Sequence, residues 1–432
     1  MDLVALLPLL KITCVLGLVI LLIRLSSRIG LALGIGAGIL GLAFSMSPSE
    51  MLAVSLGTLL SSQSLLLTLV VTLIVILSAS LEHLGHLREL LVRFKNRLGE
   101  RRWGLVAFPA LIGLLPMPGG AVFSAPMLDS FDTGKKLIPS LKSFLNYWYR
   151  HIWEYWWPLY PALLLMCAIV QVNLWHYILL ALPMTAIAVL AGLPQLMQIS
   201  EPLGEDPSRV EPKDGSTVWS ALSPLLLAIV PGVGFALFLQ FGGASRRWLA
   251  LPKETGLVIG LLAAIGWAWW DRGIRIHQAR QILLDSKLPR MWFAVAGVFL
   301  FKGIMEGSGA AHEVGVILFN LKVPLVLVIV FLPMVLGIIS GWTIAFVGTA
   351  FPILAPLIQG AGAADIKLPL TLLAFVSGFT GVILSPVHLC LILSNEYFQA
   401  PWSKVYGRLW LPALMVLGGG IIYFAVLRML IG

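Results

Sequence analysis

The sequence predicts an all-α polytopic membrane protein, organised as two inverted-topology repeats with ten spanning helices and two re-entrant hairpins. Three observations predict it. Of the 432 residues, 59% are hydrophobic and only 11% charged, where a soluble domain carries about 25% charged residues. Charge-poor stretches approaching the ~20 residues that cross a bilayer recur along the whole chain. Two of these stretches are interrupted at their centres by Pro and Gly, at matching places in the two halves. No soluble catalytic module fits in what remains.

Taken in order, the spans are expected near 3–23, 29–46, 64–82, 143–168, 177–195, 218–241, 254–270, 291–307, 369–394 and 405–430. The first run follows only Met1 and Asp2, lacks a basic leading region and is long enough to span, so it reads as a retained helix rather than a cleaved signal. The stretches 104–128 and 324–358 carry Pro116-Met117-Pro118-Gly119-Gly120 and Ser340-Gly341-Trp342-Thr343 at their centres. Backbone freed there must face protein or a cavity, so each reads as a helical hairpin turning near mid-membrane. The segment His86–Trp103 alternates Leu87, Leu90, Leu91 and Leu98 with basic residues at helical spacing and reads as an interfacial helix. The polar, Pro-containing stretch 199–217 reads as a cytoplasmic linker between a first repeat (1–198) and a second (218–432).

Basic residues collect on the cytoplasmic side of membrane proteins. Twenty of the 29 Lys and Arg residues, from Arg24 to Arg408, fall in inside loops if both termini are outside; six fall in outside segments, and Lys11, Arg150 and Lys302 lie within or at the ends of spans. The formal net charge of +9 is therefore a topology signal, and nucleic acid is not the implied partner. This layout brings the first hairpin in from the cytoplasm and the second from outside, the arrangement of an inverted repeat. Sequence traces agree: Gly36 and Gly260, Glu82 and Glu306, Gly85 and Gly309, Gly113 and Gly337, and Ala121 and Ala345 all stand 224 apart, with Pro161 and Pro386 at 225.

Each hairpin is followed by a span with its own break signal: Trp156-Trp157-Pro158-Leu159-Tyr160-Pro161 in the first half, Thr380-Gly381 and Ser385-Pro386-Val387-His388 in the second. Proline removes a backbone donor and frees a carbonyl. Two tips and two broken helices aim dipole ends and carbonyls at one midplane point, attracting anions at helix N-termini and cations at carbonyls. The candidate binding residues are Pro118, Gly119, Gly120, Ser124, Glu154 and Trp157 in the first half, and Ser340, Gly341, Thr343, Thr380, Ser385 and His388 in the second. His151, Tyr155, Tyr160, Thr349, Ser377 and Asn395 supply further polar groups nearby. Glu154, a carboxyl at membrane depth, is either a proton carrier or the partner of Arg150 or His151 in a helical ion pair. Lys302 and Glu306 read as a local i, i+4 pair. The Gly30, Gly34, Gly38 series and Gly36 with Gly41 read as close helix packing. Trp103, Trp175, Trp219, Trp248, Trp292 and Trp402 fall at span ends, whereas Trp153, Trp156, Trp157 and Trp342 fall beside the breaks.

No metal site is expected. His83-x-x-His86 has no further ligand cluster to complete a zinc shell, and Cys14, Cys167 and Cys390 sit in apolar runs as small buried hydrophobes. No cofactor is expected beyond Na⁺ as a coupling ion.

The string Gly113-Leu114-Leu115-Pro116-Met117-Pro118-Gly119-Gly120, the Asn146–Pro161 segment with His151, Glu154, Trp156, Trp157 and Pro158, and Phe301-Lys302 with Glu306 resemble a prokaryotic family of integral membrane proteins of unknown function. That family is grouped with the ion transporter superfamily, whose members include gluconate permeases, arsenite permeases and divalent-anion:sodium symporters. The resemblance covers nearly the whole chain. It implies an elevator-type secondary transporter of the prokaryotic cytoplasmic (inner) membrane, usually a homodimer, holding substrate and cation at two hairpin tips and two unwound helices. The tips here lack the Ser-Asn-Thr triplets of the divalent-anion symporters, so dicarboxylate recognition and sodium coupling do not follow from it. The expectation is a non-enzymatic carrier of a small anionic solute coupled to Na⁺ or H⁺, with small-molecule substrate and membrane lipids as partners. The alternatives are an intramembrane enzyme or transporter acting on a lipid-like substrate, for which Ser124 or His151 would have to act without a recognisable base and orienter, and a passive channel or scaffold.

Overall fold

The computed structural model describes residues 6–26, 28–84, 102–117, 119–132, 134, 136–200, 218–241, 254–285, 288–360 and 364–431. Among these the chain is helical almost throughout and contains no strand. The helices are α1 (Leu7–Ser26), α2 (Ile29–Ala43), α3 (Pro48–Leu59), α4 (Ser62–His83), α5 (Arg102–Gly113), α6 (Ala121–Phe131), α7 (Pro139–Arg150), α8 (Pro161–Val170) and α9 (Leu174–Met197). They continue with α10 (Val218–Phe241), α11 (Thr255–Asp271), α12 (Ile276–Asp285), α13 (Leu288–Gly307), α14 (Ala310–Asn320), α15 (Leu325–Ser340) and α16 (Thr343–Gly360). A single 3₁₀ turn (Ala364–Ile366) then leads to α17 (Lys367–Leu384), α18 (Leu389–Phe398) and α19 (Trp402–Ile431).

Among the described residues, seven segments are long and apolar enough to cross a membrane: Leu7–Ser26, Ser62–His83, Leu174–Met197, Leu288–Gly307, Thr343–Gly360, Lys367–Phe398 and Trp402–Leu430. This is a membrane protein by length and composition of its helices. Of the ten spans expected from sequence, six are among these seven. The expected spans 29–46 and 254–270 are shorter apolar helices, α2 and α11, as is the apolar part of α10, Ser223–Leu239. The expected span 143–168 is two short helices, α7 and α8, separated by the turns of 151–160. Pro158 and Pro161 explain the split: neither can donate to the helical ladder, and each disfavours helical backbone at the residue before it. Both expected hairpin stretches are pairs of mutually packed helices, α5 with α6 and α15 with α16. The linker beyond Ser200 and most of the expected interfacial helix lie outside the described residues.

Sequence hydropathy passed over three short helices. The signal for α3 is a capping box, in which the Ser47 hydroxyl accepts from the Glu50 N–H while the Glu50 carboxylate accepts from the Ser47 N–H, with Pro48 in the first turn. α12 and α14 carry no such box.

Burial sorts the helices. The long segment Lys367–Phe398 is 89% buried over its most apolar window and Thr343–Gly360 78%, against 28% for Leu7–Ser26 and 33% for Trp402–Leu430. α16, α17 and the nearly fully buried α8 are therefore the core, while α1 and α19 keep one face outward. Around the core, α5 packs on α7, α15 on α17, α16 on α8, and α18 on α6 and α7. A second group is built from α2 against α13, α4 against α11, α10 against α11 and α3 against α13. Contact between α2 and α13 is at backbone distance: a Cβ on Gly30 would lie 1.9 Å from the Phe293 carbonyl oxygen. Gly34 and Gly38 meet nothing within 4 Å, so only the first residue of that glycine series serves close packing.

Candidate functional site

Two helix breaks and two hairpin tips define the site. α7 ends at Arg150, and the chain runs on through successive turns (Glu154 N–H to His151 O, Trp157 N–H to Trp153 O, Tyr160 N–H to Trp157 O) until Pro161 opens α8. α17 ends at Leu384. Ser385, which precedes Pro386, is extended (φ −72°, ψ 129°), and α18 begins after His388. The first tip lies at 114–120; Pro118 within it is outside the described residues. The second tip is only Gly341-Trp342, and it requires glycine twice over. Gly341 has φ +64°, and a Cβ there would lie 2.7 Å from Val387 and 2.8 Å from the Ser385 hydroxyl.

Helices that end in an apolar interior leave carbonyls without partners, and here side chains from the breaks satisfy them. At the end of α5, the indole N–H groups of Trp153 and Trp157 donate to Ala110 O (2.7 Å) and Leu114 O (2.8 Å), and the Tyr160 hydroxyl donates to Gly113 O (2.5 Å). At the end of α15, Ser385 donates to Ile338 O (2.6 Å) and His388 Nδ1 to Gly341 O (2.9 Å). At the end of α17, Tyr147 and Tyr406 cap Ile383 O and Leu384 O. Trp156 donates to Thr185, which donates to Ile152 O, tying the first break to α9.

The four discontinuities meet. Arg150, 3% exposed, donates from Nη2 to Met117 O of the first tip (2.7 Å) and from Nη1 to Cys390 Sγ in α18 (3.2 Å). Its Nε has no partner among the described residues. Thr343, opening α16, donates to Glu154 Oε2 in the first break (3.2 Å). Glu154 Oε1 lies 3.7 Å from His151 Nε2, and that nitrogen lies 3.2 Å from His388 Nε2 of the second break. The Tyr155 phenol and the Ser340 hydroxyl make no hydrogen bond among the described residues. A buried cation, a carboxyl, two imidazoles and unpaired hydroxyls are thus held among backbone ends from both halves.

Of the residues singled out from sequence, Glu154, Thr343 and His388 touch one another's elements directly. Gly119, Gly120, Ser340, Gly341 and Ser385 line the tips and the second break. Gly120 is in contact with Arg150, since a Cβ there would stand 2.4 Å from Nη2. Ser124 and Thr380 are buried with their hydroxyls turned to their own helices, on Gly120 O and Ala121 O and on Val376 O. Thr349 and Ser377 do the same. Trp157 supports the tip through its N–H. The helical Arg150–Glu154 ion pair weighed from sequence does not form, because α7 ends at Arg150 and the i, i+4 geometry ends with it. Arg150 turns to the tip and to Cys390 instead. Lys302 and Glu306 do pair locally, at 3.8 Å on α13.

Sequence reasoning missed Arg150 as the link between tip and second break, and Cys390 as a polar neighbour of both histidines. Behind them lies a network in which only Asn395 was singled out from sequence. Ser143 bonds Asn395, Asn146 donates to Ser394 (2.9 Å) and to Ala121 O (3.2 Å), and Lys142 bridges Asp129 (2.7 Å) and the fully enclosed Asp132 (2.6 Å). Asn146 precedes the first break by a few residues, and Cys390 and Asn395 follow the second, but only the fold shows what they face.

A model for a family described as protein of unknown function (DUF401) matches residues 4–427. The chain belongs to that family. No curated protein matches it.

Proposed function

We propose that this chain is a secondary active transporter of a small anionic solute, coupled to Na⁺ or H⁺, working by alternating access between two inverted repeats. The observation that carries the reading is the convergence of two helix-pair tips and two helix breaks on one buried point that holds a fixed cation, Arg150, whose Nε donor has no partner among the described residues. Buried charge without a full set of partners is costly and marks function in membrane proteins. An anion received between Arg150, the N-terminal end of α16 at Thr343 and the free hydroxyls of Ser340 and Tyr155 would complete those partners. Glu154 beside them supplies a carboxyl for the coupling cation.

Paired contacts support the repeat. Tyr160 caps Gly113 O in the first half and Ser385 caps Ile338 O in the second, each across 47 residues and each offset from the other by 225. Gly113 and Gly337, 224 apart, both approach backbone of the following broken helix, Cβ positions falling 2.0 Å from Arg150 O and 2.2 Å from Gly378 O. The packing of α2 on α13 answers that of α11 on α4, and α16 on α8 answers α6 on α18. On this reading the α2–α4 and α11–α13 group is the stationary scaffold and the face for homodimer formation. The tips, breaks, α9 and α19 would move as an elevator in a prokaryotic inner membrane, with ten spans, two re-entrant hairpins and both termini outside.

The test is thermal stabilisation of detergent-purified protein across small carboxylates, oxyanions and lipid-like compounds, each with and without Na⁺ and at two pH values, since a ligand selective for the folded state raises its stability. One anion that stabilises only with Na⁺ or at low pH supports the reading and names the coupling ion. Stabilisation by lipid-like compounds alone discards it.

A further inference from the structure

The two imidazoles at the centre are oriented as ligands. His151 Nδ1 stands 2.6 Å from Tyr147 O and His388 Nδ1 2.9 Å from Gly341 O. A carbonyl oxygen only accepts, so each ring places its proton on Nδ1. In the neutral rings that leaves the Nε2 atoms as bare lone pairs, and they face one another at 3.2 Å. Two lone pairs at that distance repel unless something positive lies between them. Cys390 Sγ completes a triangle in which the ligand atoms of all three residues lie within 4.8 Å of one another, and all three residues are buried.

These distances fit a metal ion. In a tetrahedral site with metal–nitrogen bonds of about 2.0 Å, two ligand nitrogens stand about 3.3 Å apart, close to the separation found. Anchoring of Nδ1–H on a carbonyl is the support that fixes the tautomer and aim of a metal-bound histidine, and both rings have it. Glu154 Oε1 lies 3.7 Å from His151 Nε2 but outside the three-residue cluster, so the fourth ligand of a tetrahedral site would be a water or a solute. Arg150 Nη1 lies 3.2 Å from Cys390 Sγ and brings a fixed positive charge to the edge of the cluster.

We propose that His151, His388 and Cys390 form a three-ligand tetrahedral site for a borderline-soft divalent cation of the Zn²⁺ class, joining the two helix breaks. Mixed nitrogen and sulfur ligands select Zn²⁺ over Mg²⁺ or Ca²⁺, which take oxygen. The proposal rests on ring orientation and ligand spacing, not on transport. Its ligands come from breaks 237 residues apart, which is why no sequence spacing announces it.

The test is Co²⁺ loading of the full chain, produced in Co²⁺-supplemented medium, purified in detergent through a tag without histidine and read by metal analysis and absorption. The expected result is about one Co²⁺ per chain with intense tetrahedral ligand-field bands and a thiolate-to-Co²⁺ charge-transfer band, displaced by Zn²⁺. Cys390→Ser, nearly isosteric, should remove the charge-transfer band, and His388→Gln should weaken retention by at least about tenfold. Cys167→Ser, at the other buried cysteine, should change neither. Folded, monodisperse wild-type protein that retains no Co²⁺ would overturn the site. So would a charge-transfer band that survives Cys390→Ser. Because the readout is binding, either result stands whether or not an anion is ever found to be transported.

Discussion

Gly120 offers the sharpest perturbation of the proposed anion site. A Cβ built on it falls 2.4 Å from Arg150 Nη2, 2.9 Å from Nε and 3.0 Å from Cζ. The guanidinium must move, and it is buried, with Nη2 committed to Met117 O at 2.7 Å and Nη1 to Cys390 at 3.2 Å. Losing one hydrogen bond of a charged group costs about 1.5–3 kcal/mol, and leaving the charge buried and underpaired raises this to about 3–5 kcal/mol. Gly120→Ala is therefore expected to lower stability by about 2–4 kcal/mol, and Gly120→Val by more. The same displacement withdraws the donor proposed to meet the anion, so stabilisation by the anion should vanish even where the variant folds. The assay is the apparent Tm of detergent-purified variants with and without the stabilising anion. Gly38→Ala is the control, at a helix position with nothing within 4 Å of the added atom. A Gly120→Val protein with wild-type Tm and a full anion response would refute both the clamp and the site.

Other changes test the supports. Thr343→Val keeps the shape of the side chain but removes the donor to Glu154 Oε2; we expect a loss of about 1–3 kcal/mol in thermal or denaturant unfolding and a weaker response to the coupling ion. Trp157→Phe leaves Leu114 O without its partner, and about 1–3 kcal/mol should be lost while anion binding, measured at a temperature where the variant is folded, persists. Lys142→Met strips the counter-charge from Asp132, whose side chain is wholly enclosed. Although Asp132 still accepts from the Lys136 and Leu137 N–H groups, removal of one partner of a buried pair costs about 3–5 kcal/mol, read as a fall in Tm that Lys142→Arg restores in part.

Legibility in the sequence followed the physics of each feature. Long apolar runs are set by hydropathy over ~20 residues, a local property, and 177–195 and 405–430 appear as Leu174–Met197 and Trp402–Ile431. Breaks are also local, because Pro158, Pro161 and Pro386 act on their own backbone, and both broken helices were legible from those prolines. The pairings of side chains were not. Nothing near Arg150 in the chain indicates that its partners are Met117 and Cys390, and the helical spacing to Glu154 points elsewhere until the helix is known to end. Trp153, Trp156 and Trp157 illustrate the same limit. Their position beside a break is local, but whether an indole faces a ligand or caps Ala110 O and Leu114 O depends on where α5 is packed.

Capping by side chains also constrains how such a site can change state. Each freed carbonyl of a tip is held by a residue of the break that follows it in the same half: Tyr160 on Gly113, Ser385 on Ile338 and His388 on Gly341. Contacts at the centre instead cross between halves: Thr343 to Glu154, His388 to His151 and Arg150 to Cys390. Separating a tip from its own break would expose several buried carbonyls at about 1–3 kcal/mol each, and separating the halves would break these central contacts together with those of Tyr147 to Ile383 O, Ser143 to Asn395 and Asn146 to Ser394. The moving unit, on the transporter reading, is then expected to keep both tips and both breaks together, with its boundary against the α2–α4 and α11–α13 group. Crosslinks test where the boundary lies: a bond joining α5 to α7 should leave ligand responses intact, while one joining α13 of the scaffold to α16, which it packs against, should abolish them, and the reverse outcome would place the mobile boundary inside the proposed moving unit.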